Sequence, residues 1–462
     1  MGASAAREHS TAKSVFAEGA ITGTILRFAA PTILSLLVNT FYNIADQAFI
    51  GHGVGYAGNA AVNVVYPVAT FSVAMSALIS DGASAYMSLS LGRKEKDRAS
   101  DCVAAALALA AAVSLVILVV GQLIARPLLE FLAATDSIMD MAMVYLRIIL
   151  LGIPCVVVGA VLSALIRADG SPKYAMFCMV PGCLVNVVLD ALFIFAFQWG
   201  IAGAAWATVI GQAVNLLIAV AYLPRFQMVD VFRRGERHLV REAGCFLRLG
   251  LAGFINQFSG TVYVVFINRY LEIYGAMSVY GADIPLAVFG IMMKVSQVAV
   301  CFMSGIAVGM QPILGYCYGE ENYERVKKCL KTGVGLATAC GVVFFVVFEV
   351  LPGPIMMLFG QTDPAYIDFG VKCFRIFLLA APLYGFSIVS TGLFQAIGKP
   401  IHATFMALSR QIIYLLPLIM FLAPRYGVVG MLWASPIGDV FAFTTCFIIY
   451  LREWHLLSRK KI

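Results

Sequence analysis

The stretch Val103–Ile124, VAAALALAAAVSLVILVVGQLI, decides the fold class, because it runs for 22 residues without a single charge. About 20 apolar residues in a helix are enough to cross the hydrocarbon layer of a membrane. The rest of the chain is similar, since 61% of its 462 residues are hydrophobic and only 12% are charged. A water-soluble globule of this size could not hide so much apolar surface. The composition therefore excludes a soluble enzyme, a disordered chain and a nucleic-acid-binding protein.

Long apolar runs of this kind also argue against a transmembrane β-barrel, whose strands alternate polar and apolar residues. Backbone polar groups in hydrocarbon must be satisfied within their own segment, so the chain is predicted to be an all-α, polytopic membrane protein. Twelve transmembrane helices are predicted, and they cover residues 24–50, 60–91, 101–124, 141–166, 174–197, 201–223, 245–268, 284–316, 329–350, 371–397, 402–423 and 428–451.

The basic residues predict which side of the membrane each loop faces. If both termini are cytoplasmic, 24 of the 32 Lys and Arg residues lie on the inner side and three lie in outer loops. Cytoplasmic loops carry an excess of Lys and Arg, so this asymmetry predicts a multi-pass protein of the cell inner (plasma) membrane with both termini inside. The net charge of +7 then faces the anionic membrane lipids, and no nucleic acid is needed to explain it.

The second half of the chain repeats the first at a shift of 227 to 228 residues. Each half holds six spans, an even number, so both halves enter the membrane from the same side. We therefore predict two pseudo-symmetric six-helix lobes, with a substrate site between them and access that alternates as they rock. The matching residues include Gly200, Gly203 and Trp206 with Gly427, Gly430 and Trp433.

The repeat and the charge pattern together predict the domain boundaries. A cytoplasmic tail at 1–23 leads into the N-terminal lobe at 24–223, which holds the predicted cation site. A basic cytoplasmic linker at 224–244 joins it to the C-terminal lobe at 245–451, and a second cytoplasmic tail covers 452–462.

Few acidic residues fall within the spans, and a carboxylate at that depth is costly, so each one is a candidate functional residue. In the first span, Asp46 follows Asn39 and Asn43 in the run NTFYNIADQAFIG. Residues three and four positions apart share a face of a helix, so the three side chains form a polar stripe. We expect this stripe to face the interior of the lobe rather than lipid.

The fifth span carries a second polar pair, because Asn186 and Asp190 are four residues apart in VPGCLVNVVLDALFIF. Thr208 offers a hydroxyl group in the next span. If spans one, five and six adjoin, these three residues and Asp46 form an oxygen-rich cluster. Hard cations prefer oxygen ligands, and two close carboxylates can also share a proton. The cluster is thus predicted to bind Na⁺ or H⁺, and bonding of these acids to nearby amides for fold specificity is the alternative.

Other polar residues within spans are predicted to line a cavity. The roles of Asp81, Lys294 and Asp439 stay open at this stage, and a structural ion pair is as good an explanation for Lys294 as a cavity role. The cavity candidates are Asn39, Tyr42, Asn43, Asp81 and Lys294.

Motifs for catalysis are absent from the sequence. No nucleotide-binding GxxxxGK[ST], no HExxH and no Cys/His cluster occurs, and the eleven cysteines are scattered, several of them in apolar runs. We therefore expect a protein that is not an enzyme, with no cofactor and no metal apart from a possible Na⁺.

Several segments together resemble the MATE (multidrug and toxic compound extrusion) family. The resemblance covers about residues 20–450, and within the family the chain looks most similar to the DinF-like and MepA-like branch. Its most specific parts are the N-x-x-x-D of span five and a match to QPxxGxNxGA after span eight, where Cys317 replaces the usual Asn and Glu320 the usual Ala. The segments that carry it are APTILSLLVNTFYNIADQAFIG, LGRKEKDRASDC, IRADGSPKYAM, GIAGAAWATVIGQ and QPILGYCYGEENYERVKKCL.

The resemblance implies a secondary-active antiporter that exports organic cations or drugs in exchange for inward Na⁺ or H⁺. It also implies that the ion site lies in the N-terminal lobe, at positions that match Asp46, Asn186, Asp190 and Thr208. NorM-like relatives have further acids in spans seven and ten, and the predicted spans Cys245–Asn268 and Val371–Ile397 have none. A flippase for lipid-linked precursors or polysaccharides, from the same superfamily, is the alternative. A monomer with two lobes needs no protein partner.

Overall fold

The computed structural model describes residues 16, 19–132, 136–231, 238–281, 283–358 and 364–459, and these residues contain helices and no strand. The prediction of an all-α fold with twelve spans is confirmed. The spans are α1 (Ile21–Gly53), α2 (Tyr56–Gly92), α3 (Lys96–Leu123), α4 (Asp136–Ala168), α5 (Pro172–Ala191), α6 (Gly200–Val220), α7 (Leu239–Ala276), α8 (Asp283–Gly319), α9 (Tyr323–Val350), α10 (Pro364–Phe377 with Ala381–Ala396), α11 (Pro400–Leu408 continuing to residue 426) and α12 (428–459).

The last three spans are interrupted or joined. The two helices of α10 are bent by 48° relative to each other. Helical structure then continues for 60 residues over Pro400–Arg459, with a break at Gly427, whose φ is 65°. An unbroken helix of that length would measure about 90 Å, roughly three times the hydrocarbon thickness. The break at Gly427 therefore divides this stretch into two spans.

Shorter helical elements fill the connections. A π-helical turn, Leu192–Ala196, extends α5, and a second one, Ser409–Leu415, lies within α11. Two short helices, Ala125–Phe131 and Pro352–Leu358, follow α3 and α9, and a 3₁₀ turn, Leu223–Arg225, follows α6.

The helices extend beyond the predicted spans, because a helix continues into the headgroup region where polar residues are tolerated. The predicted tail at 1–23 overlaps α1, which begins at Ile21, and the predicted linker at 224–244 overlaps α7, which begins at Leu239. The predicted C-terminal tail at 452–462 is helical to residue 459. Residues 1–15, 17–18, 232–237 and 460–462 lie outside the described residues, and the predicted sidedness of these segments stays a prediction.

The internal repeat is also present in the backbone. Residues with positive φ recur at matching positions of the two halves, such as Gly200 (φ 56°) and Gly427 (φ 65°) at the start of α6 and α12. A left-handed residue fixes the direction of a turn, so the same connections follow the same helices in each half. The other matching pairs are Gly55 with Gly281, Lys94 with Glu321, and Gly170 with Gly398.

The two groups of six helices meet along α1 and α2 on one side and α7 and α8 on the other. Glycines allow the backbones to approach closely here: a Cβ on Gly82 or Gly250 would overlap a backbone carbonyl of the facing helix. The ends of α2 and α8 meet in the same way, through Gly92 and Gly319. These contacts hold the two lobes together at the end that carries the α2–α3 and α8–α9 loops. We call the space between the lobes the cleft, and this end its closed end.

Candidate functional site

Polar side chains line one face of α1. Asn43 Nδ2 donates to the backbone oxygen of Asn39 at 2.6 Å and to its side-chain oxygen at 3.3 Å. Asp46 follows one turn later, and its Oδ1 is buried without a donor in the described part of the chain. The i, i+4 spacing of the two asparagines brings their side chains together, and the stripe ends at Asp46, where α1 packs against α5.

Helices α5 and α6 place the next two groups. They pack closely because Gly182 and Gly211 face each other, and a Cβ on Gly211 would lie 2.6 Å from the Gly182 oxygen. This approach allows Asn186 Nδ2 to donate to Thr208 Oγ1 at 3.2 Å, and both residues are buried. Asp190 lies one turn beyond Asn186 and is fully buried.

The carboxyl groups of Asp46 and Asp190 lie within hydrogen-bonding reach of each other. Two ionised carboxylates repel at that distance, so the pair is stable when one of them holds a proton or when a cation binds both. Neither oxygen of Asp190 accepts a hydrogen bond from a donor in the described residues. A buried acceptor without a partner is costly and therefore calls for an explanation.

Two tyrosines border this pair of acids. Tyr42, on α1, and the buried Tyr145, on α4, are both close enough to Asp46 and Asp190 to interact electrostatically with them. Tyr42 belongs to the predicted cavity lining, whereas sequence reasoning misses Tyr145. A lone tyrosine in an apolar run gives no periodic signal, and only the packing of α4 brings it to the site.

The structure thus brings Asp46, Asn186, Asp190 and Thr208 together where α1, α5 and α6 adjoin. The four groups are two carboxylates, an amide and a hydroxyl, which form an oxygen-rich environment suited to a small hard cation or a proton. Within the described ranges, no group of three or more His, Cys, Asp or Glu side chains is arranged to hold a metal ion.

A comparison with family models matches the MatE model to residues 31–192 and 260–420, which are most of both lobes. The chain belongs to the MatE family. One relative, "Multidrug export protein MepA" of Staphylococcus haemolyticus, is 24% identical to this MatE chain over 440 residues, which are 94% of each protein. That relative fits the MepA-like branch of the resemblance.

Solved structures share the fold of this MatE-family chain. One, described as the outward-facing conformation of a multidrug resistance MATE family transporter, has a TM-score of 0.88 at 23% identity and covers 96% of this chain and 97% of its own. Another, described as MATE in the straight conformation, has a TM-score of 0.89 at 22% identity and covers 97% and 99%. The likeness confirms the twelve-helix architecture.

Asp81 lies apart from this cluster in the MatE fold, at the contact between α2 and α7. A Cβ on Gly253 would overlap its Oδ2, so the carboxylate sits directly against the backbone of the other lobe. Gln395 of α10 hydrogen-bonds to it, and Arg167 at the end of α4 supplies the positive charge that acts on it. Asp81 therefore belongs to the closed end of the cleft.

Lys294 also lies apart from the acids of the N-terminal lobe. Its Nζ donates to Gln47 Oε1 at 3.2 Å, so α8 is hydrogen-bonded to α1 across the two lobes of this MatE-family protein. Nearer the closed end, Thr40 Oγ1 and Cys301 Sγ are 3.3 Å apart along the same pair of helices. The polar contacts of α1 with α8 therefore extend over two turns.

A buried ion pair in the C-terminal lobe is missed by sequence reasoning. Arg410 Nε donates to Asp439 Oδ1 at 2.6 Å, and the guanidinium lies 3.8 Å from the centroid of the Tyr384 ring. The two charges lie on α11 and α12, which form an antiparallel hairpin. Their spacing of 29 residues across a turn was the available signal, because opposite charges in adjacent spans of a MatE chain pair to avoid lipid.

The helices of spans seven and ten extend beyond the predicted ranges, which contain no acid, and the extensions do contain acids. α7 includes Glu242 and Glu272, and α10 includes Asp368. These acids lie near helix ends: Glu272 Oε2 is 2.8 Å from Arg269, and Asp368 Oδ2 is 2.7 Å from Lys372. Glu242 is buried and interacts with Tyr86, and its Oε2 has no hydrogen-bond partner in the described part of the chain.

Proposed function

We propose that this protein is a secondary-active antiporter that exports drugs or organic cations in exchange for Na⁺ or H⁺. The observation that carries the proposal is the contact between the carboxyl groups of the partly buried Asp46 and the fully buried Asp190. The names of the relatives, which are export proteins, support the class of substrate. Asn186 and Thr208 complete the proposed coupling site, and no other cofactor is involved.

The coupling follows from electrostatics. Without a bound cation or proton, the two carboxylates repel each other, and α1 is pushed away from α5. Binding of the ion removes the repulsion and draws the Asp46 segment of α1 against α5. Because α1 also borders the cleft, ion binding changes the shape and the charge of the cleft. The bound ion therefore lowers the affinity of the cleft for substrate, and ion and substrate compete.

The closed end of the cleft supports alternating access. The glycine contacts of α2 with α7 and α8 close the end at the α2–α3 and α8–α9 loops, where Arg93 and Lys94 lie in the first loop and Lys327 lies in the first turns of α9. If basic segments are cytoplasmic, the conformation described is closed toward the cytoplasm. We accordingly place both termini in the cytoplasm, in a multi-pass plasma-membrane protein surrounded by lipid and acting as a monomer.

The proposal is tested in liposomes that contain the purified full-length chain. Substrate uptake is followed with a Na⁺ gradient and a pH gradient imposed separately, in wild type and in Asp46→Asn and Asp190→Asn. We expect either gradient to drive substrate movement in wild type. In each variant the gradient-driven transport rate should fall at least about tenfold. Asp140→Asn, which removes an exposed acid of α4, is the matched control.

Two outcomes contradict the proposal. If neither gradient drives transport in wild type, the chain is not an ion-coupled antiporter. If both gradients still drive transport at the wild-type rate in Asp46→Asn and Asp190→Asn, coupling takes place elsewhere.

A further inference from the structure

The ammonium group of Lys294 occupies an unusual position for a charge in a membrane protein. Lys294 lies 11 residues after the start of α8, about 16 Å along the helix axis. Its side chain is exposed, and its hydrogen-bond acceptor is the neutral amide of Gln47 in the other lobe. No carboxylate of the described residues lies within ion-pair distance of its Nζ. A charge at this depth therefore needs water or a charged ligand.

The surroundings of Lys294 indicate water rather than lipid. Gln297, one turn further along α8, is also exposed, so two polar residues share this face. On α1, Asn43 and Gln47 are four residues apart and face the same way. Large exposed apolar residues of α1 lie on a different face: Leu34, Phe41 and Ile44. The polar faces of α1 and α8 thus line the gap between the lobes.

The charges of the two walls of this gap have opposite signs. The N-terminal lobe contributes the partly exposed Asp46, which contacts the buried Asp190 behind it, and the C-terminal lobe contributes Lys294. The other deep base of that lobe, Arg410, is neutralised by Asp439. Among the described residues, a substrate between the lobes therefore meets the carboxyl group of Asp46 on one side and the ammonium group of Lys294 on the other.

We propose that Lys294 is a specificity-determining residue that binds the carboxylate of zwitterionic substrates. The cationic end of such a molecule faces the acids of the N-terminal lobe, and its carboxylate replaces Gln47 as the partner of the ammonium group. An organic cation without a carboxylate gains nothing from Lys294 and is repelled by it. This inference rests on the proposed export function and narrows its substrate class to carboxylate-bearing organic amines.

Rhodamine B and its ethyl ester form a suitable pair of probes, because they differ only in whether the carboxyl group is free or esterified. Binding of each dye to the detergent-solubilised full chain is measured by fluorescence polarisation. In Lys294→Gln we expect the Kd of rhodamine B to rise about fivefold and that of the ester to stay the same or fall. Lys294→Arg retains the charge and should retain the preference of wild type. Lys331→Gln, at an exposed lysine of α9, is the control.

A second variant tests the inference without removing the lysine. Gln47→Leu takes away the present partner and leaves the ammonium group free, so rhodamine B should bind at least as tightly as in wild type. The inference is overturned if Gln47→Leu loses the preference, if Lys294→Gln changes both dyes equally, or if wild type binds the ester but not rhodamine B. Any of these three results overturns only the role of Lys294 and leaves the proposed export function unaffected. If wild type binds neither dye and no gradient drives transport, the proposed function fails as well.

Discussion

Gly250 of α7 packs against Leu78 of α2 so closely that a Cβ on the glycine would overlap the leucine carbonyl oxygen. Backbone cannot move aside as a flexible side chain can, so the contact exists only because residue 250 is glycine. Gly82 makes the reciprocal contact with Phe246 of α7. The closed end of the cleft therefore depends on two glycines that face each other across the lobes.

Gly250→Ala is expected to open this end of the cleft. The added methyl group pushes α7 from α2 and destabilises the closed state relative to the state in which the lobes separate here. The distance between spin labels at Lys94 and Glu321, attached through non-natural amino acids, should increase. Gly335→Ala is the control, since its Cβ would meet nothing within 4 Å. An unchanged distance distribution in Gly250→Ala would show that the contact does not set the closed state.

Asp81→Asn should weaken the same end of the cleft for an electrostatic reason. The substitution conserves shape but leaves Arg167 without the negative charge that acts on it. Asp81 and Arg167 form no direct ion pair, so the loss should be smaller than the roughly 3 kcal/mol or more that breaking a buried pair costs. Thermal unfolding in detergent should therefore show a lower Tm for Asp81→Asn.

The double variant Asp81→Asn, Arg167→Gln separates pairing from packing. If the two charges act on each other, the double variant should lose less stability than the two single losses added together. Strict additivity would mean that Asp81 is held by its hydrogen bonds with Gln395 and Ser80 and not by the charge of Arg167.

Local rules in the sequence predict the fold and the two polar helix faces that carry Asp46 and Asp190, whereas the grouping of these two acids rests on the condition that spans one, five and six adjoin and on the family resemblance. Hydropathy defines the spans, and the i, i+4 spacing of Asn186 and Asp190 defines a polar helix face. What lies across helices is harder to predict, because it depends on which spans adjoin. The partner of Lys294 follows from the packing of α8 on α1 and has no local signal, whereas the 29-residue spacing of Arg410 and Asp439 across the turn between α11 and α12 was a signal that sequence reasoning missed. Helix ends are also missed, since hydropathy marks the hydrocarbon layer rather than the helix.

Asp439→Asn should destabilise the C-terminal lobe, because it leaves the half-buried Arg410 without its carboxylate. We expect a loss of about 3 kcal/mol, measured as a lower Tm or as a lower denaturant midpoint. Asp368→Asn is the matched control: Asp368 and Lys372 are about half exposed, and such pairs contribute less than about 1 kcal/mol. Equal effects of the two variants would contradict a buried role for the Arg410–Asp439 pair.

Thr208→Val should distinguish the two coupling ions. The substitution keeps the shape of the side chain and removes the oxygen that accepts from Asn186 Nδ2. A sodium ion needs several oxygen ligands, and the loss of the Thr208 hydroxyl also frees the Asn186 amide to turn away from the site. The Na⁺ concentration for half-maximal transport should therefore rise about tenfold. A proton needs only the carboxyl groups of Asp46 and Asp190, so transport driven by a pH gradient should stay close to wild type. Thr208→Ser, which keeps the hydroxyl, should behave as wild type with either gradient; a Thr208→Val protein with unchanged responses to both would remove Thr208 from the coupling site.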